Sequence, residues 1–569
     1  MAEQRPATSR VWPVVAGTTA LAILTGLIVW LTVARGCDGS LSLTVAAAPE
    51  LAPALRESID KWVRTEPAVS GTCIKPHVTG VDPARMTAAA SAQISGDLDL
   101  AGVDSGGTDI PDAWIPDSTT WVTRLRTVDR QAVADATPSV AMSPVVLALP
   151  ESTARAEGWP AKQIGWDYVL AGMQASPPLQ VGIVEPRRSA TGLSALLVTG
   201  QLATSAAKIA GKDEETAMLG TFRGLSFARV ATSDALLGKL PDEPGTEQDG
   251  IFCGLLSERE VREYDATKPA VPLAAVYPEP AAPALDYPYT TFAGLSVAKS
   301  EAAGELRKWL QTRDSRAVLT RHGFRTPDGA VGPRFPTGHG VSPEPVTPPK
   351  PISADAIDRA LGLWTEVSMA SRALAILDVS GSMNTPVPTA GGLSRLEVTR
   401  RAATAGLKLF TDDSELGLWV FSTQLDGDKD YRELVPVGPL ETNRRKIADA
   451  LKHGTAKPGG GTALFDTIRD AYKQMVAEFD PEMSNSIVVM TDGKNQDPDG
   501  LSEKQLIAEL QRLSKPDKPV HVIVIGIGTE VDKHELETVA KATGGGVFLA
   551  PDPSKIGEIF LRALALPSR

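Results

Sequence analysis

At 569 residues the chain is long enough for two or three domains, and an apolar share of 42% supplies ordinary globular cores, which excludes a mainly disordered protein. Lys and Arg total 57 against 69 Asp and Glu, so the net charge of −12, with no basic patch, argues against nucleic-acid binding and fits a soluble, acidic ectodomain.

Residues 1–10 form a short tail carrying Arg5 and Arg10. The run Val11 to Ala34 that follows holds no charged side chain. At about 20 apolar residues per bilayer crossing it is long enough to span, and it reads as one transmembrane helix, 11–34. A cleaved signal peptide would show an apolar core of about 7–15 residues ending in a small-x-small site. Here Arg35 interrupts the exit, which favours an uncleaved anchor; cleavage and lipidation of Cys37 remain open. Arg5 and Arg10 precede the run, whereas Arg35 is soon answered by Asp38 and Glu50. That asymmetry places the amino terminus in the cytoplasm and the bulk of the chain outside, as a single-pass protein of the cell membrane.

From 38 to 327 short apolar runs alternate with longer helical segments, beginning with Leu41 to Ala47 and then 50–65. This is an α/β pattern of a size that suits two lobes. Cys37 and Cys73 each stand a few residues before an apolar run. If Leu41 to Ala46 and Ile74 to Thr79 are neighbouring parallel strands, a Cys37–Cys73 bridge is geometrically reasonable and would contribute about 3–4 kcal/mol by loop closure. Cys253 would then be unpaired; the alternative is three small buried thiols.

The strings 111–118 (PDAWIPDS), Ser143 to Ala148, 181–192 (VGIVEPRRSATG), Ala275 to Pro278, Leu285 to Pro288 and Gly323 to Arg325 together resemble bacterial extracellular solute-binding proteins of the two-lobed, periplasmic type. The resemblance implies a ligand held between the lobes by backbone N–H groups and hydroxyls at helix starts, with Ser143, Ser189 and Thr191 as candidate ligand-binding residues. Glu50 and Glu185 near the same mouth argue against a simple oxyanion pocket. They leave a cationic or zwitterionic ligand, or none.

The segment 328–352 is crowded with Pro and Gly and lacks apolar periodicity, so it reads as a semi-stiff spacer. Beyond it, 353–569 is a second α/β domain, opened by a helix over 353–366. Ala373 to Leu377, Leu416 to Ser422, Ile487 to Met490 and Val522 to Ile527 read as buried parallel strands. Helical segments at 394–410, 443–452, 464–478 and 502–513 lie between and after them.

Three strand ends and loops in this domain carry oxygen donors. Asp378, Ser380 and Ser382 form an Asp-x-Ser-x-Ser turn, Thr462 follows Gly459-Gly460-Gly461, and Asp492 ends the run Ile487 to Asp492. Carboxylates and hydroxyls suit Mg²⁺, Mn²⁺ or Ca²⁺, with Mg²⁺ the best fit, whereas zinc would want His or Cys. Two carboxylates leave such an ion under-neutralised, able to exchange a water for an acidic group arriving from outside. In this order, Asp378, Ser380, Ser382, Thr462 and Asp492 resemble the metal-ion-dependent adhesion site of von Willebrand factor A (VWA) domains. The resemblance implies a doubly wound, Rossmann-like sheet and a protein or other macromolecular partner bound through the metal. A site that only stiffens the domain is the alternative.

The six His residues are scattered, and there is no phosphate-binding loop, nucleophile elbow or zinc-protease helix; no catalytic residues are expected. The order of anchor, solute-binding-like domain and VWA domain resembles that of a membrane-anchored bacterial protein of actinobacterial type. The expected role is surface binding. Solute capture, with the metal domain recruiting a transporter, and envelope assembly are the alternatives.

Overall fold

The structure is a computed structural model describing residues 37–550 and Ile559, apart from 95, 97, 135–137, 163, 174, 176–178, 242–250, 339, 349–351, 455–458 and 529–530. The expected membrane helix 11–34 lies outside the described residues. Among those described, no helix is long and apolar enough to cross a membrane.

The amino-terminal half folds as two lobes, each around its own five-stranded sheet. In the first, the strand order is Thr290–Thr291, Ala113–Ile115, Ser40–Ala47, Thr72–Gly80, Ala68–Val69. Leu43, Val45 and Ala47 of the central strand are wholly buried. Ser40–Ala47 and Thr72–Gly80 pair in parallel with Ser40 opposite Cys73, which brings the two strand starts together. Cys37 and Cys73 are joined by a disulfide there, with Cα atoms 4.9 Å apart.

In the second lobe the order is Arg229–Val230, Val181–Val184, Cys253–Ser257, Val145–Pro150, Leu273–Val276. Every residue of its four longer strands is buried, because both faces of the sheet are covered. Cys253, in one of them, is a free thiol that burial pushes up to about 12 and so keeps inert. The chain crosses between lobes where Ser143 pairs with Leu285 and Met142 pairs with Arg325.

The segment expected to be a spacer is packed against the second lobe. Phe335 and Val341 are buried in that lobe's core. Arg325, wholly buried, pairs with Glu258 at 2.7 Å and donates to the carbonyls of Gly329, Ser342 and Glu344. The physical reason is donor supply: a Pro- and Gly-rich stretch cannot pair its own carbonyls in a ladder, and one guanidinium offers five N–H groups to them.

Helix Ala354–Ser368, which the sequence assigns to the metal domain, likewise buries its apolar face in the second lobe. Ala360, Trp364 and Val367 belong to that lobe's core, and the Trp364 indole meets Phe222 edge-on at 6.5 Å. Its N–H donates to Glu185 at 2.9 Å.

The carboxy-terminal domain holds a six-stranded sheet in the order Lys429–Pro439, Glu415–Asp426, Ser371–Asp378, Ser484–Thr491, His521–Ile527, Val547–Ala550. All neighbours are parallel except the first pair. Helices Arg395–Gly406 and Leu440–Asp449 cover one face, while Leu464–Ala477, Glu503–Leu513 and Lys533–Lys541 cover the other. The hairpin to Lys429–Pro439 was not among the expected strands; it turns at Gly427 (φ 65°) and carries Trp419 stacked on Tyr431 at 4.1 Å. From Ser371–Asp378 the chain winds first toward Glu415–Asp426 and later, through Leu464–Ala477, to the other side. That reversal puts a crevice at the carboxyl ends of the central strands.

If Trp364 is a core residue of the second lobe, Trp364→Ala should destabilise the amino-terminal half by about 3–5 kcal/mol, and Trp364→Phe by less. Denaturant unfolding followed by hydrogen exchange in 143–284 checks this. Loss of protection confined to the carboxy-terminal sheet would refute it.

Candidate metal centre and interlobe cleft

The crevice gathers all five expected donors. Asp378 ends strand Ser371–Asp378, and the turn after it carries Ser380 and Ser382; Asp492 directly follows strand Ser484–Thr491. Thr462 arrives on the glycine loop, which is pinned to the first turn by Gly381 N–H donating to the Gly460 carbonyl at 3.0 Å. Gly460 has φ +74°, and a Cβ there would lie 2.9 Å from the Thr423 hydroxyl, so the loop's close approach needs glycine. Asn495 closes the arrangement: its side chain accepts from the N–H groups of Leu464 and Phe465 and so caps the helix after Thr462.

The donors touch one another. Ser380 Oγ lies 3.1 Å from Ser382 Oγ and 3.2 Å from Thr462 Oγ1, and the Ser382 hydroxyl donates to Asp492 at 2.7 Å. Oxygen pairs at these separations match neighbouring ligands on an octahedral ion, whose edge is roughly 3.0 Å when metal–oxygen bonds are about 2.1 Å. Asp378, Ser380, Thr462 and Asp492 are at most 1% exposed, whereas Ser382 is exposed, so the group opens to solvent on one side. The residues present therefore fit a hard divalent cation.

Burial pushes the Asp378 carboxyl up to about 6, and the Asp492 charge adds to the rise. Hydrogen bonds from the Ser380 N–H (2.8 Å) and the Thr491 hydroxyl (2.6 Å) pull the other way. Sequence reasoning missed Thr491, Asn495 and, above all, Arg395, whose guanidinium donates to the second Asp492 oxygen at 2.8 Å. A signal for Arg395 was available: it opens helix Arg395–Gly406, where the helix dipole disfavours a cation unless an anion faces it.

A second concavity, about 760 Å³, lies between the two amino-terminal lobes. Of the three residues expected to bind ligand there, Ser189 and Thr191 line it. Ser143 is placed elsewhere: it sits in the interlobe crossover, and its hydroxyl accepts from Arg259 N–H at 3.2 Å. Glu50 lines the cleft as expected, but Glu185 does not. Glu185 is 4% exposed and turned to the opposite side, held by Trp364, by Arg187 at 2.8 Å and by Arg229 at 3.4 Å.

Residues 374–562 match the family model of the von Willebrand factor type A domain, and residues 43–325 match that of bacterial extracellular solute-binding proteins. The chain thus joins a VWA domain to a solute-binding-like domain. Among curated proteins it is similar to uncharacterized proteins of two Mycobacterium tuberculosis strains, each 28% identical over 560 residues, which is 93% of this chain and 78% of the relative.

Among solved structures, the VWA protein of Catenulispora acidiphila is 20% identical with a TM-score of 0.28; the match covers 35% of this chain and less than half, 42%, of that one. Proximal thread matrix protein 1 of the mussel byssus, with zinc in its MIDAS motif, is 18% identical, covers 34% and 47%, and has a TM-score of 0.28. An aerotolerance-related membrane protein of Bacteroides fragilis is 17% identical, covers 34% and 98%, and has a TM-score of 0.26. Likeness at this level carries no functional inference.

Arg395→Met should leave the buried Asp492 carboxylate without its counter-charge and destabilise the metal-free protein by about 3–5 kcal/mol. Millimolar Mg²⁺ should recover most of that loss, since the ion replaces the missing positive charge. Calorimetric melting in chelator and in Mg²⁺ tests this. An equal loss in both would show that Arg395 only packs.

Proposed function

We propose that the protein is a membrane-anchored, cell-surface binding protein whose VWA domain holds a divalent cation, Mg²⁺ in the first instance, and through it an acidic group of a protein or other envelope partner. The observation that carries the reading is the convergence of Asp378, Ser380, Ser382, Thr462 and Asp492 into one cluster with a solvent-facing side at Ser382. Bound there, the cation would supply Lewis acidity toward a carboxylate. The chain's own part is to hold five oxygens in register and to keep the first carboxylate oriented by Thr491 and the Ser380 N–H. Mn²⁺ and Ca²⁺ satisfy the same donor chemistry.

Membrane anchorage through 11–34, with the amino terminus cytoplasmic, is part of the proposal and rests on the uncharged run and its flanking arginines. No catalytic role is proposed. A second reading, solute capture by the amino-terminal half, is favoured by the interlobe cleft and the family match over 43–325.

A pull-down from envelope extract on immobilised full chain should retain a partner in Mg²⁺ and lose it in chelator and with Asp378→Ala. The variant should still fold, because the strand core at Leu374, Ile376 and Leu377 is untouched. Retention that ignores both chelator and mutation would refute metal-dependent binding.

A further inference from the structure

Helix starts that face a cleft ordinarily attract anions, because their first N–H groups lack partners and their dipoles point outward. At three helix heads of this cleft those donors are turned inward. Asp82 accepts from Ala84 and Arg85 N–H at 2.8 and 3.2 Å, at the head of helix Pro83–Gln93. Ser189 accepts from Gly192 N–H at 3.1 Å, at the head of Ala190–Ile209. Ser257 and Glu260 form a reciprocal capping box on Glu258–Ala266. Two of these three helix heads thus present a carboxylate where an oxyanion would have to sit.

The remaining charges deepen the bias. Six carboxyl groups line the cleft, those of Glu50, Asp82, Asp117, Asp234, Glu260 and Glu263, against the guanidinium groups of Arg188 and Arg259. Arg259 is already engaged: it pairs with Glu263, donates to the His322 carbonyl and lies 4.7 Å over the Phe324 ring. Glu50 and Asp117 come from the first lobe and are steadied by neutral donors, the Tyr287 hydroxyl at 2.9 Å and the Trp121 indole N–H at 2.7 Å. Neither has a cationic partner among these bonds. Tyr264, only partly buried, adds aromatic surface of the sort that favours organic cations.

We propose that the interlobe cleft receives an organic cation, an ammonium or guanidinium compound, with Glu50 and Asp117 as its counter-charges. The proposal deepens the solute-capture reading and rests on it; it is independent of the metal centre. A volume of about 760 Å³ suits a small organic molecule.

The crowding of like charge agrees with this. Burial first, and the nearby Glu260 charge, push the Glu50 carboxyl up to about 7, opposed by the Tyr287 hydrogen bond and Arg259. Asp117 is raised by burial and by Glu50, Asp82 and Glu260, against the Trp121 bond. A cation binds the ionised carboxylates, so these raised values mean that affinity rises with pH through about 7 and falls below it.

The test is calorimetric titration of the full chain with 1,4-diaminobutane, spermidine, arginine and choline, with sulfate and glucose as counter-probes. At least one cation should bind. Its affinity should fall tenfold or more in Glu50→Gln and in Asp117→Asn, each checked for an unchanged melting profile, and should weaken as pH is lowered through neutrality. Binding of a cation that both variants leave unchanged would overturn the site. Sulfate or glucose binding in place of the cations would overturn the charge assignment and leave solute capture standing. Silence from all six probes would overturn both.

Discussion

The carboxy-terminal domain is organised around the cost of burying two carboxylates side by side at the switch point of its sheet. An isolated buried carboxylate costs several kcal/mol, and a second one nearby raises the cost. Asp378 meets that cost with two hydrogen bonds, from the Ser380 N–H in the turn that follows it and from the Thr491 hydroxyl on the neighbouring strand. Asp492 meets it with the Ser382 hydroxyl and the Arg395 guanidinium. The parts that hold these donors then follow as necessities: a glycine loop able to approach closely, an asparagine that caps the helix behind it, and a helix that tolerates arginine in its first turn. Arg395 pairs with a carboxylate that the proposed cation would share, so the domain carries one positive charge of its own beside the place where the resemblance puts another.

Much of this was legible in the sequence because the relevant signals are local. A buried apolar run followed by Asp-x-Ser-x-Ser announces a strand end, and the strands at 371–378, 484–491 and 521–527 contain the runs read from the sequence. What escaped was long-range. Arg395 reaches Asp492 across 97 positions, and no spacing rule predicts such a pair. The hairpin strand Lys429–Pro439 escaped for a different reason: its exposed, polar face reads as loop unless the Asp426-Gly427 turn is given full weight. Glu50 and Glu185 show the limit most plainly. Both stand near predicted helix starts, yet one faces the cleft and the other turns to a tryptophan 179 positions away. Only the packing of helix Ala354–Ser368 decides between them.

The two concavities treat the same physical element in opposite ways. Around the candidate metal site, backbone N–H groups are spent on orienting a carboxylate and a loop, which leaves oxygens to converge on one point. Around the cleft, three helix starts are closed by their own Asp, Ser and Glu side chains, so the positive ends of those dipoles are answered before any ligand arrives. Both outcomes leave surplus negative charge in a concave, partly desolvated place. The chain's net charge of −12 is therefore partly concentrated in these concavities.

The attachment of helix Ala354–Ser368 can be decided by magnitudes. Its polar contact with the first lobe is the Thr365 hydroxyl, 3.4 Å from Asp99, a carboxylate whose side chain is 55% exposed and also pairs with Arg187, and it packs more lightly on helix Thr119–Val128 than on the second lobe's helices. Such exposed polar contacts are worth about 0–1 kcal/mol. Against the second lobe it buries Trp364 completely, together with Ala360 and Val367, and burial of a tryptophan alone is worth about 3–5 kcal/mol by truncation. Arg223 of the same lobe adds hydrogen bonds to the Val367 carbonyl at the helix end and to the Leu409 carbonyl of the VWA domain. The helix thus belongs mechanically to the second lobe. Since strand Ser371–Asp378 begins three residues after the helix ends at Ser368, the strand that carries Asp378 starts from that lobe's surface. With so short a connection, rotation of one lobe against the other at the Ser143–Leu285 crossover would carry the start of this strand with the second lobe.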